Sequence, residues 1–427
     1  VTMTEQTKPL DLGDELLIDA EDTPPAPPPT AVMSPLARLL LGISLVLIAF
    51  NLRPLFSSAS ALLPEIRSQL GLSAAGASLL TTVPVACLGL FSPLAPRLAG
   101  RFGAERTLLA AVALLALGTA LRGLHSVPLL FLGTALAGAC IAIGNVLLPG
   151  LVKRDFPDRA ALMTGFYTMA LCAGAAGAAG LTLPAEAVLG GSLGATLAIW
   201  AIPAAIVGVI WLPQALGSRA KPAKTSFRVE GLWRDRLAWQ VTLFMGLQSA
   251  LAYCVFGWLV PILRDRGIDG VTAGAIVSLS VMVQAASCIV SPQIAVRGKD
   301  QRLVHVALAA IAVIGLLGLL FAPLSTVWPF AVLQGIGQGG LVAVALTAVV
   351  LRSPDPHVAA HLSGMAQFVG YTLAAIAPLL VGLIRDWTGS FAATSTVFVA
   401  FGLGAAINGW GAGRALHVDV RTIRNEP

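Results

Sequence analysis

Twelve apolar runs, most of them about 20 residues long, make up about two thirds of the chain beyond residue 34. A run of that length crosses the hydrocarbon core of a bilayer as a helix, and a helix satisfies its own backbone groups where no water can. The runs lie at approximately 36–62, 73–96, 107–123, 128–151, 161–183, 194–212, 238–262, 272–293, 303–321, 328–351, 361–383 and 391–412. The third and ninth are short, and the first is long enough to tilt or kink. Charged residues make up 11% of the chain, against about 25% in an ordinary soluble domain. That excludes a soluble globular fold. The expected fold class is an all-α membrane protein with twelve transmembrane helices.

The distribution of charge sets the orientation. Alternate loops, 97–106, 152–159, 213–237 and 297–302, carry most of the Lys and Arg, and Arg352, Arg414, Arg421 and Arg424 fall on the same side. The opposite loops hold little beyond Arg67, Arg122, Arg264, Arg266 and Arg385. The positive-inside rule therefore places both termini in the cytoplasm and requires an even number of spans. No basic, aromatic-interleaved domain is present, so no nucleic-acid partner is expected. The expected location is the cell (inner) membrane, crossed many times, with the lipid bilayer and a small-molecule substrate as partners and the monomer as the working unit.

Residues 1–34 differ in kind. Seven acidic residues between Glu5 and Asp22 and the proline run from Pro24 to Pro29 predict a disordered cytoplasmic tail. It lacks the basic start and small-residue cleavage site of a signal peptide, so span 1 is expected to stay in the mature protein. Cys87, Cys140, Cys172, Cys254 and Cys288 all lie in apolar spans without CxxC spacing or nearby His and carboxylate clusters. They read as packing residues; no metal, disulfide framework or cofactor is implied.

The polar, basic stretch 213–237 separates residues 35–212 from 238–412, with 413–427 as a second cytoplasmic tail. The two halves echo each other. Leu62-Leu63-Pro64-Glu65-Ile66-Arg67 is matched by Leu259-Val260-Pro261-Ile262-Leu263-Arg264, Ser92-Pro93-Leu94-Ala95 by Ser291-Pro292-Gln293-Ile294-Ala295, and Met163-Thr164-Gly165 by Leu362-Ser363-Gly364. The same order at equivalent span ends indicates a duplicated six-helix unit. Gly335-x-Gly337-x-x-Gly340 matches a dinucleotide fingerprint in form, but it sits inside an apolar run with no preceding strand and reads as helix packing.

Arg53 breaks the apolar pattern of span 1, within Phe50-Asn51-Leu52-Arg53-Pro54. A mid-span charge costs roughly 2.5–3.5 kcal/mol on insertion scales, so it faces protein or a watery cavity. Pro54 cannot donate to the Phe50 carbonyl and disfavours helix at Arg53, which predicts a kink. Arg53 is either a substrate anchor or a structural tie. The repeat gives it no charged counterpart, because the equivalent position is Ala252. Asn51 lies on the other side of an unbroken helix and reaches the same cavity only through the kink. Asn145 in span 4 is a further candidate. Gln248 and Tyr253 in span 7, Gln334 and Gln338 in span 10 and Tyr371 in span 11 are candidates for the far wall, each with an interhelical hydrogen bond as the alternative. No Asp or Glu sits in the middle of a span, so the carboxylate relay of many proton-driven carriers has no candidate here.

Two six-helix halves, a basic central loop and cytoplasmic termini resemble the major facilitator superfamily. Pro96-Arg97-Leu98-Ala99-Gly100-Arg101-Phe102-Gly103 resembles that superfamily's cytoplasmic loop signature, which implies gating roles for Arg97, Arg101 and Gly103; Gly100 stands where the usual acidic residue would be. A narrower resemblance is to the cyanate/nitroimidazole permease family. It is carried by Phe50-Asn51-Leu52-Arg53-Pro54, Leu80-Thr81-Thr82-Val83-Pro84, Gly144-Asn145-Val146-Leu147-Leu148-Pro149, Lys153-Arg154-Asp155-Phe156-Pro157 and Met163-Thr164-Gly165-Phe166-Tyr167-Thr168-Met169. The resemblance implies alternating-access transport of a small polar or anionic solute, such as cyanate or a nitroimidazole. Efflux of amphipathic drugs and a receptor that binds solute without carrying it are the alternatives. A membrane-embedded enzyme would need a nucleophile–base pair or metal cluster at one depth, and the sequence offers none.

Overall fold

A computed structural model describes residues 35–124, 126–156, 159–217, 227–298, 300–354 and 356–424. The acidic tail 1–34, residues 218–226 of the central loop, Lys299 and residues 425–427 lie outside the described residues. Contacts group Leu41–Pro427 as one unit; of the unit before it only 35–40, the start of span 1, is described.

Twelve helices among the described residues are long and apolar enough to cross a bilayer: Leu36–Ala61, Ala74–Phe91, Ala104–Leu121, Val127–Asp155, Leu162–Val188, Leu193–Gly217, Arg236–Asp265, Gly270–Ala295, Arg302–Phe321, Leu324–Leu351, Val358–Thr388 and Ala392–Ala412. Each coincides with one apolar run of the sequence, with ends shifted by a few residues. We call the face where span 1 begins proximal and the opposite face distal. Span 7 is 89% buried along its most apolar stretch, whereas spans 6 and 12 are each 33% buried. The last helix of each half is therefore peripheral and span 7 is central, which fits paired halves.

Proline chemistry shapes the inner spans. The first helix ends at Asn51 and a second, Pro54–Ala61, begins after Arg53, which caps it at φ −117° and ψ −26°. Pro54 leaves the Phe50 carbonyl without its helical donor, and Gly174 of span 5 lies directly against that oxygen. A Cβ at Gly174 would stand 2.0 Å from it, so only glycine fits. Span 11 is also interrupted, at Ala375 between Pro356–Ala374 and Ile376–Thr388. Pro378 accounts for this break: it has no N–H to offer the Ala374 carbonyl four residues back, while its own carbonyl accepts from Trp258 Nε1 at 2.9 Å. The glycines of span 10 let backbones approach. A Cβ on Gly335 or Gly339 would fall 2.4 or 2.2 Å from the Ser280 or Gln284 carbonyl of span 8, which makes this stretch a packing surface.

One feature lies outside the all-α expectation. Phe227–Glu230 of the central loop pairs antiparallel with Arg421–Arg424, Val229 opposite Thr422. The Val418 N–H donates to the Arg352 carbonyl at 2.9 Å, and the Asp419 N–H to Asp235 Oδ2 at 3.2 Å. These bonds dock the described part of the second tail against the six-helix half that precedes it.

Hydrogen bonds between the two halves run from mid-depth to the distal face. Arg53 Nη1 donates to Tyr253 Oη at 3.0 Å and Ser278 Oγ to the Ala176 carbonyl at 2.7 Å. Towards the distal ends, Arg264 clasps Glu65 through two bonds of 3.0 and 2.7 Å, and Asp386 accepts from the Ala74 and Ala75 N–H groups, both at 2.7 Å. Arg53 and Tyr253 are 200 residues apart, and Glu65 and Arg264 are 199 apart. Those separations match the offset of the internal echoes, so span 1 meets span 7 at near-equivalent positions, as residues beside a two-fold axis must.

Candidate functional site

The break in span 1 makes Arg53 available. A residue between two helical segments projects at an angle that a continuous helix forbids, and here it projects towards span 7. Its guanidinium carries five N–H donors, and Nη1 is directed to Tyr253 Oη at 3.0 Å. The guanidinium carbon stands 5.8 Å from the ring centres of both Tyr253 and Phe256, within range of a cation–π attraction. Phe56 packs against Tyr253 at 5.3 Å, and Tyr371 meets Tyr253 edge-on at 6.2 Å. Tyr371 and Cys172 are close enough to feel the Arg53 charge, and Tyr167 is an electrostatic neighbour of Tyr371. The chain has three tyrosines in all. Two of them, Tyr253 of span 7 and Tyr371 of span 11, stand by this one arginine, and the third, Tyr167 of span 5, stands behind Tyr371.

Among the described residues no carboxylate pairs with Arg53. Its positive charge lies between the halves with phenol and thiol groups as its polar company. A cluster of this kind offers charge and paired donors to a solute with two oxygens, and aromatic faces to a planar body.

The other candidate residues are placed differently. Asn51 is buried; its Nδ2 donates to the Leu47 carbonyl at 2.9 Å and its Oδ1 is left without a partner. Asn145 is half-buried with an unpartnered Nδ2, and its neighbour Gly144 packs on Leu52, next to Arg53. The three glutamines engage one another or a serine inside the second half. Gln338 Nε2 donates to the Gln248 carbonyl at 3.0 Å and to its Oε1 at 3.3 Å, and Gln334 Oε1 accepts from Ser280 Oγ. The structure thus brings Tyr253 and Tyr371 to Arg53 and engages Gln248, Gln334 and Gln338 in bonds between spans 7, 8 and 10.

Arg97 and Arg101 are exposed on the proximal face, Arg101 over the ring of Phe102 at 5.3 Å. Gly103 takes φ +89°, a conformation that suits glycine, and caps span 3. Gly100 supplies no carboxylate, but Glu105 lies five residues on, buried, and pairs with Arg154 of span 4 at 2.6 Å. Sequence reasoning passed over this pair, over Phe256 and Cys172 near Arg53, and over Tyr167 beside Tyr371. For Tyr167 a signal existed: tyrosine is rare in this chain, and this one lies in a motif of span 5. The Glu105–Arg154 pair is non-local and carries no spacing signal.

The family model for the Major Facilitator Superfamily matches residues 39–378. The 2-nitroimidazole transporter of Escherichia coli (strain K12) is 40% identical over 379 residues, covering 88% of this chain and 96% of that protein. The cyanate transport protein CynX of the same organism is 28% identical over 348 residues, covering 81% of this chain and 90% of that one. Among solved structures, the inward-open xylose transporter XylE from E. coli superposes with a TM-score of 0.68 at 13% identity, covering 87% of this chain and 96% of that one; that likeness concerns the fold. The chain is a multi-pass membrane transporter of the permease type and not an enzyme. It belongs to the Major Facilitator Superfamily and, within it, to the cyanate/nitroimidazole permease family.

Proposed function

We propose that this carrier moves a small polar or anionic solute, cyanate- or nitroimidazole-like, by alternating access, with Arg53 as its anchor. The reading rests on one observation: a mid-span guanidinium between the halves, beside Tyr253 and Tyr371, with no carboxylate among the described residues to neutralise it. The Tyr253 phenol occupies one donor. A nitro or carboxylate group displaces the phenol and takes two donors, and hydrogen bonds to a charged group contribute about 1.5–3 kcal/mol each. Because Arg53 belongs to the first half and Tyr253 to the second, a bound solute changes the contact between them. That is what a rocking carrier requires. The names of the two relatives support the chemical class. The basic residues of the proximal loops support a cytoplasmic proximal face in the cell membrane.

The test measures affinity and thermal stability on the same purified variants, with 2-nitroimidazole, cyanate and an aromatic carboxylate as probes. Arg53→Lys keeps the charge and loses the two-pronged geometry, so binding weakens. Arg53→Gln loses both and weakens it further, with the melting temperature close to wild type. Unchanged affinity in well-folded Arg53→Gln refutes the anchor. Stability lost in step with binding assigns Arg53 a structural role.

A further inference from the structure

Resting on the reading of Arg53 as the anchor, we infer that the solute is an aromatic monocarboxylate with a single ring, of the benzoate class. The cluster at Arg53 has an open side. Arg53, Tyr371, Tyr167 and Cys172 are each half-buried, whereas Tyr253 and Phe56 are covered. Only Nη1 of Arg53 is engaged, and no nitrogen of that side chain is buried without a partner, so its remaining donors keep open surface. A solute arriving there meets a guanidinium edge with the ring of Tyr371 next to it and Tyr167 behind.

Charge selects the carboxylate. The ionisable groups that face Arg53 among the described residues are Tyr253, Tyr371 and Cys172, so neither a carboxylate nor a second cation stands there. A guanidinium drawn out of water gains most from a full counter-charge. A nitro group has the same shape but no net charge, and hydrogen bonds between two ionised groups are the shorter and stronger kind. One cation also matches one anion, so a second carboxylate on the ring would go unpaired. Packing selects the ring. Tyr253 itself shows how an aromatic oxygen compound sits at Arg53: its Oη accepts from Nη1 at 3.0 Å, and its ring stands 6.1 Å from Phe256 and edge-on to Tyr371 at 6.2 Å. A benzoate taking the place of the phenol puts two oxygens where one stood and a ring beside the same aromatic neighbours. Aromatic pairs gain beyond the area they bury, which neither a triatomic anion nor a saturated ring can match.

The experiment measures equilibrium binding of radiolabelled benzoate to the purified carrier, with nitrobenzene, cyclohexanecarboxylate, terephthalate and cyanate as competitors. Benzoate should bind about tenfold or more tighter than nitrobenzene, its neutral isostere. It should bind roughly two- to tenfold tighter than cyclohexanecarboxylate, which keeps the charge and loses the aromatic ring. Terephthalate and cyanate should both compete more weakly than benzoate. Tyr371→Leu should erase the preference over cyclohexanecarboxylate and keep the preference over nitrobenzene. Nitrobenzene, cyclohexanecarboxylate or terephthalate equal to benzoate on wild type overturns the assignment, as does a ring preference that survives Tyr371→Leu. Should Tyr371→Leu fail to fold, the competitor series on wild type decides. Arg53→Gln separates this inference from the reading beneath it. Cyanate bound more tightly than benzoate, and lost in Arg53→Gln, leaves Arg53 as the anchor and refutes the aromatic class. Binding of every probe unchanged in Arg53→Gln, or absent from wild type, refutes both.

Discussion

Replacing Arg264 with Met should open the distal face of this carrier. Arg264 holds Glu65 through bonds of 3.0 and 2.7 Å and also reaches the Ala61 carbonyl at 3.3 Å, so its removal deletes a clasp between the halves. The two side chains are 25% and 22% exposed, so solvent screens the pair only in part. Fully exposed pairs contribute about 0.2–1 kcal/mol and hydrogen bonds to charged groups about 1.5–3 kcal/mol. An intermediate figure of about 1.5 kcal/mol follows for a two-pronged, half-screened pair. At 1.4 kcal/mol per decade that is roughly a tenfold shift towards the distal-open state. Cys172 is the natural reporter, since it is close enough to feel the Arg53 charge. In a protein retaining Cys172 alone, an impermeant maleimide added from the distal side should react roughly tenfold faster after Arg264→Met. Glu65→Gln added to Arg264→Met should give little more, because the bond is already gone. An unchanged rate in folded Arg264→Met would show that the clasp does not hold the distal face, and the reasoning fails.

Other consequences follow from the same geometry. Gly174→Ala places a methyl against the Phe50 carbonyl, where backbone cannot yield, and should cost at least about 2 kcal/mol of stability or prevent folding. A melting temperature equal to wild type would mean that the broken helix shifts freely. Single cysteines at Ser226, in the central loop outside the described residues, and at Ser390, between spans 11 and 12, should label from opposite sides of the membrane; labelling of both from one side contradicts twelve spans. With no carboxylate at mid-depth, a pH gradient should not drive concentrative uptake of a non-titrating substrate into proteoliposomes. Uptake that is concentrative and abolished by Glu65→Gln would count against this.

The number of spans, their order and the presence of two halves were legible in the linear sequence. The reason is physical: a bilayer demands about 20 consecutive apolar residues per helix, so composition along the chain records the architecture directly. The kink at Arg53 was legible too, because Pro54 removes a donor whatever surrounds it. Tyr253 and Tyr371 stood out as polar groups in apolar runs, and so did Gln248, Gln334 and Gln338. Sequence had no means of separating the two sets. Which of them faces Arg53 depends on how spans 7, 10 and 11 rotate about their axes, and nearly apolar helices carry little periodicity to fix that rotation.

Tertiary structure alone decided what each polar group meets. It paired Gln338 with Gln248 and Gln334 with Ser280, and brought Tyr253 and Tyr371 from two spans to one arginine. It also folded Arg122 inward and joined Phe227–Glu230 to Arg421–Arg424 across the whole second half. These are contacts between residues tens to hundreds of positions apart, selected by backbone approach at glycines such as Gly133 and Gly174 and by the two-fold arrangement of the halves. The sequence determined where the chain enters and leaves the bilayer, because lipid reads each segment separately. The packing of the segments determined the site, because a hydrogen bond is defined by two positions at once.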